Sequence, residues 1–175
     1  PFGFNPLACD PTDAVLASRR AQSFVAALES LKEFQEVFAQ GTRMKDMLLH
    51  LAHAFIANQG HSLLETADFI AVDPEDKVDT ARQFRATFYT KLDEYNPDVW
   101  EFWRLYDKLP LNDKRERSES TANKLRRFRI DPIMQSIFGQ PTNSIDFNQV
   151  LDEGKILIVN LTDVGRYNAA FIGAL

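Results

Sequence analysis

The sequence contains one cysteine, Cys9, and no apolar run near the roughly 20 residues that cross a bilayer. A lone cysteine excludes a disulfide framework and a zinc site built from cysteines, and it fits a reducing compartment. No signal peptide is visible, and the Walker A and Rossmann glycine patterns are absent. The chain begins at Pro1 rather than Met, which indicates excision from a longer polypeptide or missing leading residues. These absences leave no visible catalytic machinery, so we expect the chain not to be an enzyme by itself.

What the sequence does contain is typical of one globular domain. It has 175 residues, 45% of them hydrophobic, and 14 phenylalanines, enough for a helical core with aromatic packing. The net charge of −5 argues against a chain that binds nucleic acid over its whole surface.

Apolar residues at helical spacing predict a mainly α fold, a multi-helix orthogonal bundle of about six to eight helices. Gly41 is expected to end the first helix, Ser62 to cap the third, and Pro97 to begin the fifth. The predicted helices span residues 13–38, 43–58, 62–73, 75–95, 97–109, 112–130, 132–138 and 146–151.

Residues 155–161 (KILIVNL) form an apolar, β-branched run without polar alternation. Such a run is typical of a strand buried on both faces of a parallel sheet. Nearly everything before it is predicted to be helical, so we interpret it as a C-terminal strand belonging to an α/β sheet outside this chain. In this chain alone we expect a short edge strand or a poorly supported segment against the helices.

The sharpest charge feature is the predicted helix at 112–130, which is strongly basic. Residues 65–98 are acidic by contrast, with nine carboxylates against four basic residues. Lysine and arginine gain affinity for phosphates by releasing counterions, so a nucleic-acid contact is one interpretation. A solvated helix face, or pairing with the acidic stretch, is the other. The candidate nucleic-acid-binding residues are Lys114, Arg115, Arg117, Lys124, Arg126, Arg127 and Arg129.

Three other patterns are weaker candidates. His50 and His53 share a helix face, but no further metal ligands accompany them, so packed or partly exposed histidines are favoured over a metal site. Residues 100–103 (WEFW) have the aromatic character of a base-stacking surface, yet their helical spacing favours a core role. Ser118 and Ser120 have no neighbouring base in the sequence that would make either a nucleophile.

Several segments together resemble one family. They are FGFNPL at 2–7, GTRMKDMLL at 41–49, NKLRRF at 123–128 leading to IFGQ at 137–140, and IDF at 145–147 with LDEGKILIVNL at 151–161. Their order is similar to the middle of DNA-pumping ATPases of the FtsK/HerA superfamily. The nearest likeness is to conjugation coupling-protein-like ATPases of the TraG/TraD type, which serve type IV secretion.

The resemblance implies an all-α domain inserted into a RecA-like domain. Residues 1–11 would be an irregular lead-in from that domain, 12–151 the all-α domain, and 152–175 a strand and truncated helix that return to it. The family's Walker A and Walker B motifs would lie outside this chain, so no catalytic or metal-binding residue is carried over, and ATP and magnesium belong to the parent protein. The parent is expected to be hexameric, the isolated chain monomeric, and the location cytoplasmic, with the parent able to attach to the inner membrane.

Three functions remain open from the sequence. The domain contacts DNA weakly and without sequence preference at the entrance of the hexamer, with Lys124, Arg126 and Arg127 as leading residues. Alternatively, it docks a relaxase or another secretion substrate protein. The third possibility is a purely structural helical insert.

Overall fold

The chain folds into a mainly helical structure. The computed structural model describes residues 2–39, 42–73 and 79–175, and 67% of the structure is helix. None of the helices in these ranges has the length and apolar character needed to cross a membrane. The described helices are α1 (Ala14–Glu29), α2 (Lys32–Phe38), α3 (Arg43–Ala57), α4 (Thr66–Ile70), α5 (Thr80–Ala86), α6 (Tyr89–Tyr95), α7 (Pro97–Asp107), α8 (Leu111–Ile130), α9 (Pro132–Phe138), α10 (Phe147–Asp152) and α11 (Arg166–Ala174).

Local signals in the sequence set several helix ends as predicted. Asn96 caps α7 by accepting hydrogen bonds from the backbone N–H groups of Asp98 and Val99, directly before Pro97. Asp131 and Asp146 cap α9 and α10 in the same way. The Ser62 N–H donates to Glu65 Oε1 over 2.8 Å, which is half of the predicted capping box. Here the box opens a 3₁₀ turn that continues into α4.

Two long helices that the sequence predicts are each divided in the structure. With these divisions and the additional α11, eleven helices are described where six to eight were expected. Residues 13–38 form α1 and α2, because the Ser30 hydroxyl bonds the Ala27 carbonyl at 2.6 Å and closes the turn. The described part of 75–95 forms α5 and α6, with the Thr87 hydroxyl donating to the Phe84 carbonyl at 2.7 Å. Hydroxyls that bond backbone carbonyls compete with the helical ladder. The predicted break at Gly41 and the start at Glu75 lie outside the described residues.

The core sits where α3 crosses the other long helices. Phe55 of α3 meets Phe69 of α4 and Phe88, with ring centroids 5.4 and 5.2 Å apart. Trp103 of α7 contacts Phe69 edge-on at 4.9 Å and is completely buried. Helices α1, α7 and α8 pack around α3, so that α8 lies on the core with its outer side free. We call α1–α9 with the segment 2–7 the helical body.

The segment 2–7 is an integral part of this body. Phe4 and Leu7 are buried, and Asn5 Nδ2 donates to the carbonyls of His61 and Pro141 at 2.9 Å each. Gly3 lies against the loop after α9, and a Cβ placed there would be 2.5 Å from Gln140 Cγ. The approach of the two segments is therefore close enough to need glycine.

The strand predicted at 155–161 is not formed in the structure. No residue of the described ranges is in a β-strand, and residues 151–160 are all exposed. The segment is instead poorly supported by the helices: Ile156 and Ile158 are 89% and 85% exposed, and only its last residue, Leu161, is partly buried, near Gly173 of α11. A strand requires a hydrogen-bonded neighbour, and no backbone–backbone hydrogen bond among the described residues reaches 156–161.

The chain returns to the helical body after this exposed segment. Phe171 of α11 is fully buried and stacks on Phe128 of α8, with centroids 4.7 Å apart. Asn168 Nδ2 donates to Asp131 Oδ2 at 2.8 Å, which ties α11 to the start of α9. Residues 155–161 thus form an excursion that is anchored on both sides.

Candidate nucleic-acid interface

The basic helix of the sequence is α8, the longest helix described. Asp113 lies in its first turn and Arg127 and Arg129 in its last turn, as the helix dipole favours. It ends before the dipeptide Asp131–Pro132, because a proline disfavours helical backbone in the residue before it.

One face of α8 is buried, and its packing fixes where the other side chains of the helix lie. Ser118, Ala122, Leu125 and Phe128 are 0–2% exposed and face α4 and α9. Their spacing of three and four residues leaves the two flanks and the outer side for the charged residues. The seven candidate cations consequently have different surroundings.

Lys114 points into the interior and is only 2% exposed. Its ammonium lies 2.7 Å from Asp79 Oδ2 and 3.9 Å from Asp107 Oδ1. Burial alone raises the pKa of Asp79, but hydrogen bonds from Lys114 and the Arg82 N–H, with the charges of Lys114 and Arg85, hold it below its usual value. Lys114 is part of a buried ion network and does not belong to the exposed basic surface.

The centre of this network is Arg85, which the sequence analysis did not identify. Arg85 is completely buried, its Nη2 lies 2.6 Å from Asp107 Oδ1, and its Nη1 donates to the Phe69 carbonyl at 2.5 Å. Tyr89 also hydrogen-bonds Asp107, and burial together with that carboxylate raises the pKa of Tyr89. Helical spacing could have indicated that Arg85 is buried, because it lies four residues after Ala81 and therefore on the same face of the helix. In the same way, the spacing of Lys114 from Ser118 and Leu125 places all three on one face of α8, which indicates that Lys114 points inward.

Two further cations of α8 bridge to other helices. Arg127 pairs with Glu33 of α2, and its guanidinium carbon lies 5.0 Å from the ring centroid of Tyr167. Arg129 pairs with Asp68 of α4 at 2.5 Å. The alternative of pairing with the acidic stretch is therefore realised at Lys114–Asp79 and Arg129–Asp68. Both arginines remain about half exposed, and surface pairs of this kind are weak enough to open.

The other four cations remain available to a ligand. Arg115 has a loose i,i+4 pair with Glu119 at 3.7 Å, Lys124 donates to Ser120 Oγ at 2.9 Å, and Arg126 donates to Asn123 Oδ1 at 2.9 Å. These partners lie on α8 itself. Within the described ranges, no hydrogen bond or ion pair involves the Arg117 side chain.

The exposed cations flank two cavities. On one side of α8, Arg117 and Ser120 line a cavity of about 970 Å³ that reaches to α3 and α7. On the other side, Arg115 and Arg126 line one of about 290 Å³. Carboxylates line both: Asp46 and Glu116 in the first, Asp73 and Glu119 in the second. The surface is thus a spaced row of cations among acids, suited to weak contacts with a repeating polyanion rather than to tight capture of one anion.

The histidine candidates each have a structural partner. His50 stacks on Phe102 at 3.9 Å, and His53 Nδ1 lies 2.7 Å from the Tyr95 hydroxyl. Burial, followed by the nearby His50, lowers the pKa of His53. Among the described residues, no group of three His, Cys, Asp or Glu side chains is placed to hold a metal.

The aromatic and serine candidates are parts of the fold. Trp103 is fully buried and its Nε1 donates to the His50 carbonyl at 3.2 Å. Trp100 is half-buried under Arg104, whose guanidinium carbon is 5.2 Å from the ring centroid. Ser118 is buried, and Ser120 accepts from Lys124 at 2.9 Å. The core role predicted for residues 100–103 is confirmed at Trp103.

Comparisons with protein-family models, with curated proteins and with solved structures found no match for this chain.

Proposed function

We propose that this chain is the all-α domain of a conjugative, type IV secretion coupling-protein-like DNA-translocating ATPase, and that α8 contacts nucleic acid. The observation that carries the nucleic-acid part is the set of cations spaced along α8, namely the exposed Arg115, Arg117 and Arg126 and the half-buried Lys124. Their bonding partners lie on their own helix, so phosphate contacts do not require the fold to open.

The insertion part of the proposal is supported by the position of the two flanking segments. Gly3 N–H donates to Ser144 Oγ at 2.9 Å, and Ser144 N–H donates to the Gly3 carbonyl at 2.8 Å. The chain therefore enters and leaves α1–α9 at neighbouring points, which is the geometry that an inserted domain needs. In the proposed parent, residues 155–161 pair as a strand of the RecA-like sheet, where their exposed apolar side chains become buried.

The proposal assigns ATP and magnesium to Walker motifs outside these 175 residues, and no step of hydrolysis to a residue of this chain. The role of the domain in the hexamer is then recognition at the entrance. Contacts of this type are expected to be independent of sequence and to weaken steeply with salt.

Fluorescence anisotropy with a labelled DNA duplex tests the nucleic-acid part. We expect binding at about 50 mM salt that weakens by an order of magnitude or more at about 200 mM. The triple variant Arg117→Glu, Lys124→Glu, Arg126→Glu should lose it. The matched control reverses Arg19, Lys91 and Lys108, which are exposed and lie on other elements or loops, and gives the same change in net charge. Equal loss in both variants, or no binding by the unaltered chain, refutes a role for α8.

Docking of a relaxase or another secretion substrate protein is the second candidate. The cavity beside Arg117 favours it, because the apolar side chains of Phe102 and the half-exposed Leu105 are among those that line it. Capture of the parent system's substrate proteins after nuclease treatment, abolished by Leu105→Glu, supports docking. Loss of parent assembly with both kinds of binding intact would instead support a structural insert.

A further inference from the structure

The available cations of α8 lie in two rows on opposite flanks of the helix. Because a helix turns by about 100° per residue, Arg117 and Lys124, which are seven residues apart, share one flank. Arg115 and Arg126, eleven residues apart, share a second flank, about half a turn around the helix from the first. The buried face that contains Leu125 separates the two rows on one side, and the outer side of the helix separates them on the other.

The outer side between the rows is exposed and free of carboxylates in its second half. Ser120, Asn123 and Ile130 lie there, with Arg127 beside them, and all four are exposed. The three carboxylates of α8 come earlier in the helix, at Asp113, Glu116 and Glu119. Residues 120–130 therefore turn toward solvent a surface whose charged side chains are all basic.

There is room for a ligand beside each row. The cavity of about 970 Å³ borders the flank of Arg117, and the cavity of about 290 Å³ borders that of Arg115 and Arg126. Carboxylates of other segments, Asp46 and Asp73, also line these cavities. They lower the attraction to phosphate on both flanks, so a polyanion that contacts one row alone gains little.

Two rows of cations on opposite flanks of one helix match two rows of phosphates. A single nucleic-acid strand carries one row, whereas the major groove of B-form DNA has one row along each side. That groove is about 12 Å wide, and a helix with its side chains is about 10–12 Å across. A helix inserted in the groove therefore turns one flank toward each phosphate backbone and its outer side toward the base edges.

We propose that the ligand of α8 is the major groove of double-helical DNA. Arg117 and Lys124 face one phosphate backbone, and Arg115 and Arg126 face the other. The phosphates supply the affinity, so the contact stays independent of the base sequence. This inference rests on the proposed nucleic-acid function and specifies the form of its ligand.

Fluorescence anisotropy with three labelled ligands of equal length tests the fit to the groove: duplex DNA, single-stranded DNA and duplex RNA. We expect duplex DNA to bind about tenfold more tightly than either of the others, since only it has two phosphate rows beside an accessible major groove. Duplex RNA carries the same backbone charge, but its major groove is deep and too narrow for side chains. Equal affinity for duplex DNA and either other ligand overturns the inference. Absence of binding to all three refutes the proposed function itself.

Two pairs of neutral substitutions test whether both flanks are used. Arg117→Gln with Lys124→Gln removes one row, and Arg115→Gln with Arg126→Gln removes the other. Each pair should reduce the slope of log affinity against log salt for duplex DNA by about two, because each cation at a phosphate releases about one counterion. A slope that only one pair reduces overturns the two-flank contact, although it leaves nucleic-acid binding by α8 in place.

The matched control is Arg19→Gln with Lys91→Gln, which removes two exposed cations on α1 and α6. We expect this pair to leave the affinity for duplex DNA and its salt slope unchanged. Circular dichroism should show the same helix content in all three pair variants, because every substituted side chain lies outside the buried core. A control pair that reduces the slope as much as the α8 pairs overturns the assignment of the contact to α8.

Discussion

Arg85 and Asp107 form an ion pair in the interior of the helical body, with Arg85 Nη2 2.6 Å from Asp107 Oδ1. The arginine side chain is 0% exposed and the aspartate 6%. Two more charges, Lys114 and Asp79, join them, so two cations and two carboxylates balance within one cluster. The cluster connects α5, α7 and α8, and therefore fixes the helix that carries the candidate interface.

Arg85→Met should lower the free energy of unfolding by about 3–5 kcal/mol, because it leaves buried Asp107 without its main partner. Urea denaturation followed by circular dichroism measures this. Arg82→Met is the control on the same helix, since Arg82 is exposed; it should change stability by less than about 0.5 kcal/mol. Similar losses in the two variants would show that Arg85 does not carry the cluster.

Because of the same cluster, we expect the stability of the folded chain to depend on pH in the acidic range. The folded state holds the pKa of Asp79 below its usual value of about 4. Its contribution is therefore complete above the unfolded pKa and is lost as pH falls through the folded pKa. Asp79→Asn removes this titration, and asparagine tolerates the left-handed backbone found there, with φ of 48°. Stability of the unaltered chain should fall more steeply below pH ~4 than that of the variant; parallel curves would contradict this.

Phe171→Ala should destabilise the chain by about 3–5 kcal/mol, because its ring fills a buried site against Phe128 and Phe138. Limited proteolysis should then cut within residues 155–175 first. Ala170→Ser, on the exposed side of α11, is the matched control and should leave both the stability and the cleavage pattern unchanged. If Phe171→Ala left the free energy of unfolding unchanged, α11 would not unfold cooperatively with the helical body.

Two aspartate N-caps, Asp131 and Asp146, should differ in how much they stabilise the folded chain. Asp131 caps α9 and also accepts from Asn168 Nδ2, whereas Asp146 caps only α10, which has no buried residue. We expect Asp131→Ala to cost about 1–2 kcal/mol and Asp146→Ala about 0.5 kcal/mol or less. Asn168→Ala combined with Asp131→Ala should cost less than the sum of the two single variants. Additive losses would contradict a direct link.

The sequence predicts the elements whose causes are local. α3, α7, α8 and α9 lie close to their expected bounds, because caps, prolines and apolar spacing act within a few residues. The divisions at Ser30 and Thr87 were missed, since a hydroxyl that bonds a carbonyl looks no different in the sequence from one exposed to solvent. The mainly α class is confirmed, while the strand at 155–161 depends on a neighbour that the described chain does not supply.

In the candidate interface, too, the features with local causes can be predicted from the sequence, and those that depend on tertiary contacts cannot. Composition identifies α8 as basic, and helical phase alone indicates that Lys114 faces inward with Ser118. What no local pattern shows is that its partner is Asp79, 35 residues earlier in the chain, or that Arg129 meets Asp68. The availability of Arg117 and Arg126 to phosphate likewise depends on which neighbours the tertiary fold provides.

The contact between Gly3 and Ser144 also has a kinetic consequence. The two residues are 141 positions apart, so their paired hydrogen bonds close a loop of nearly the whole helical body. Closing such a loop costs more chain entropy than forming any single helix or helix pair within it. We therefore expect α3, α7 and α8 to gain hydrogen-exchange protection before the Gly3 and Ser144 amides do during refolding. The meeting of the two flanking segments would then be a late event, which reports that the body between them has finished folding.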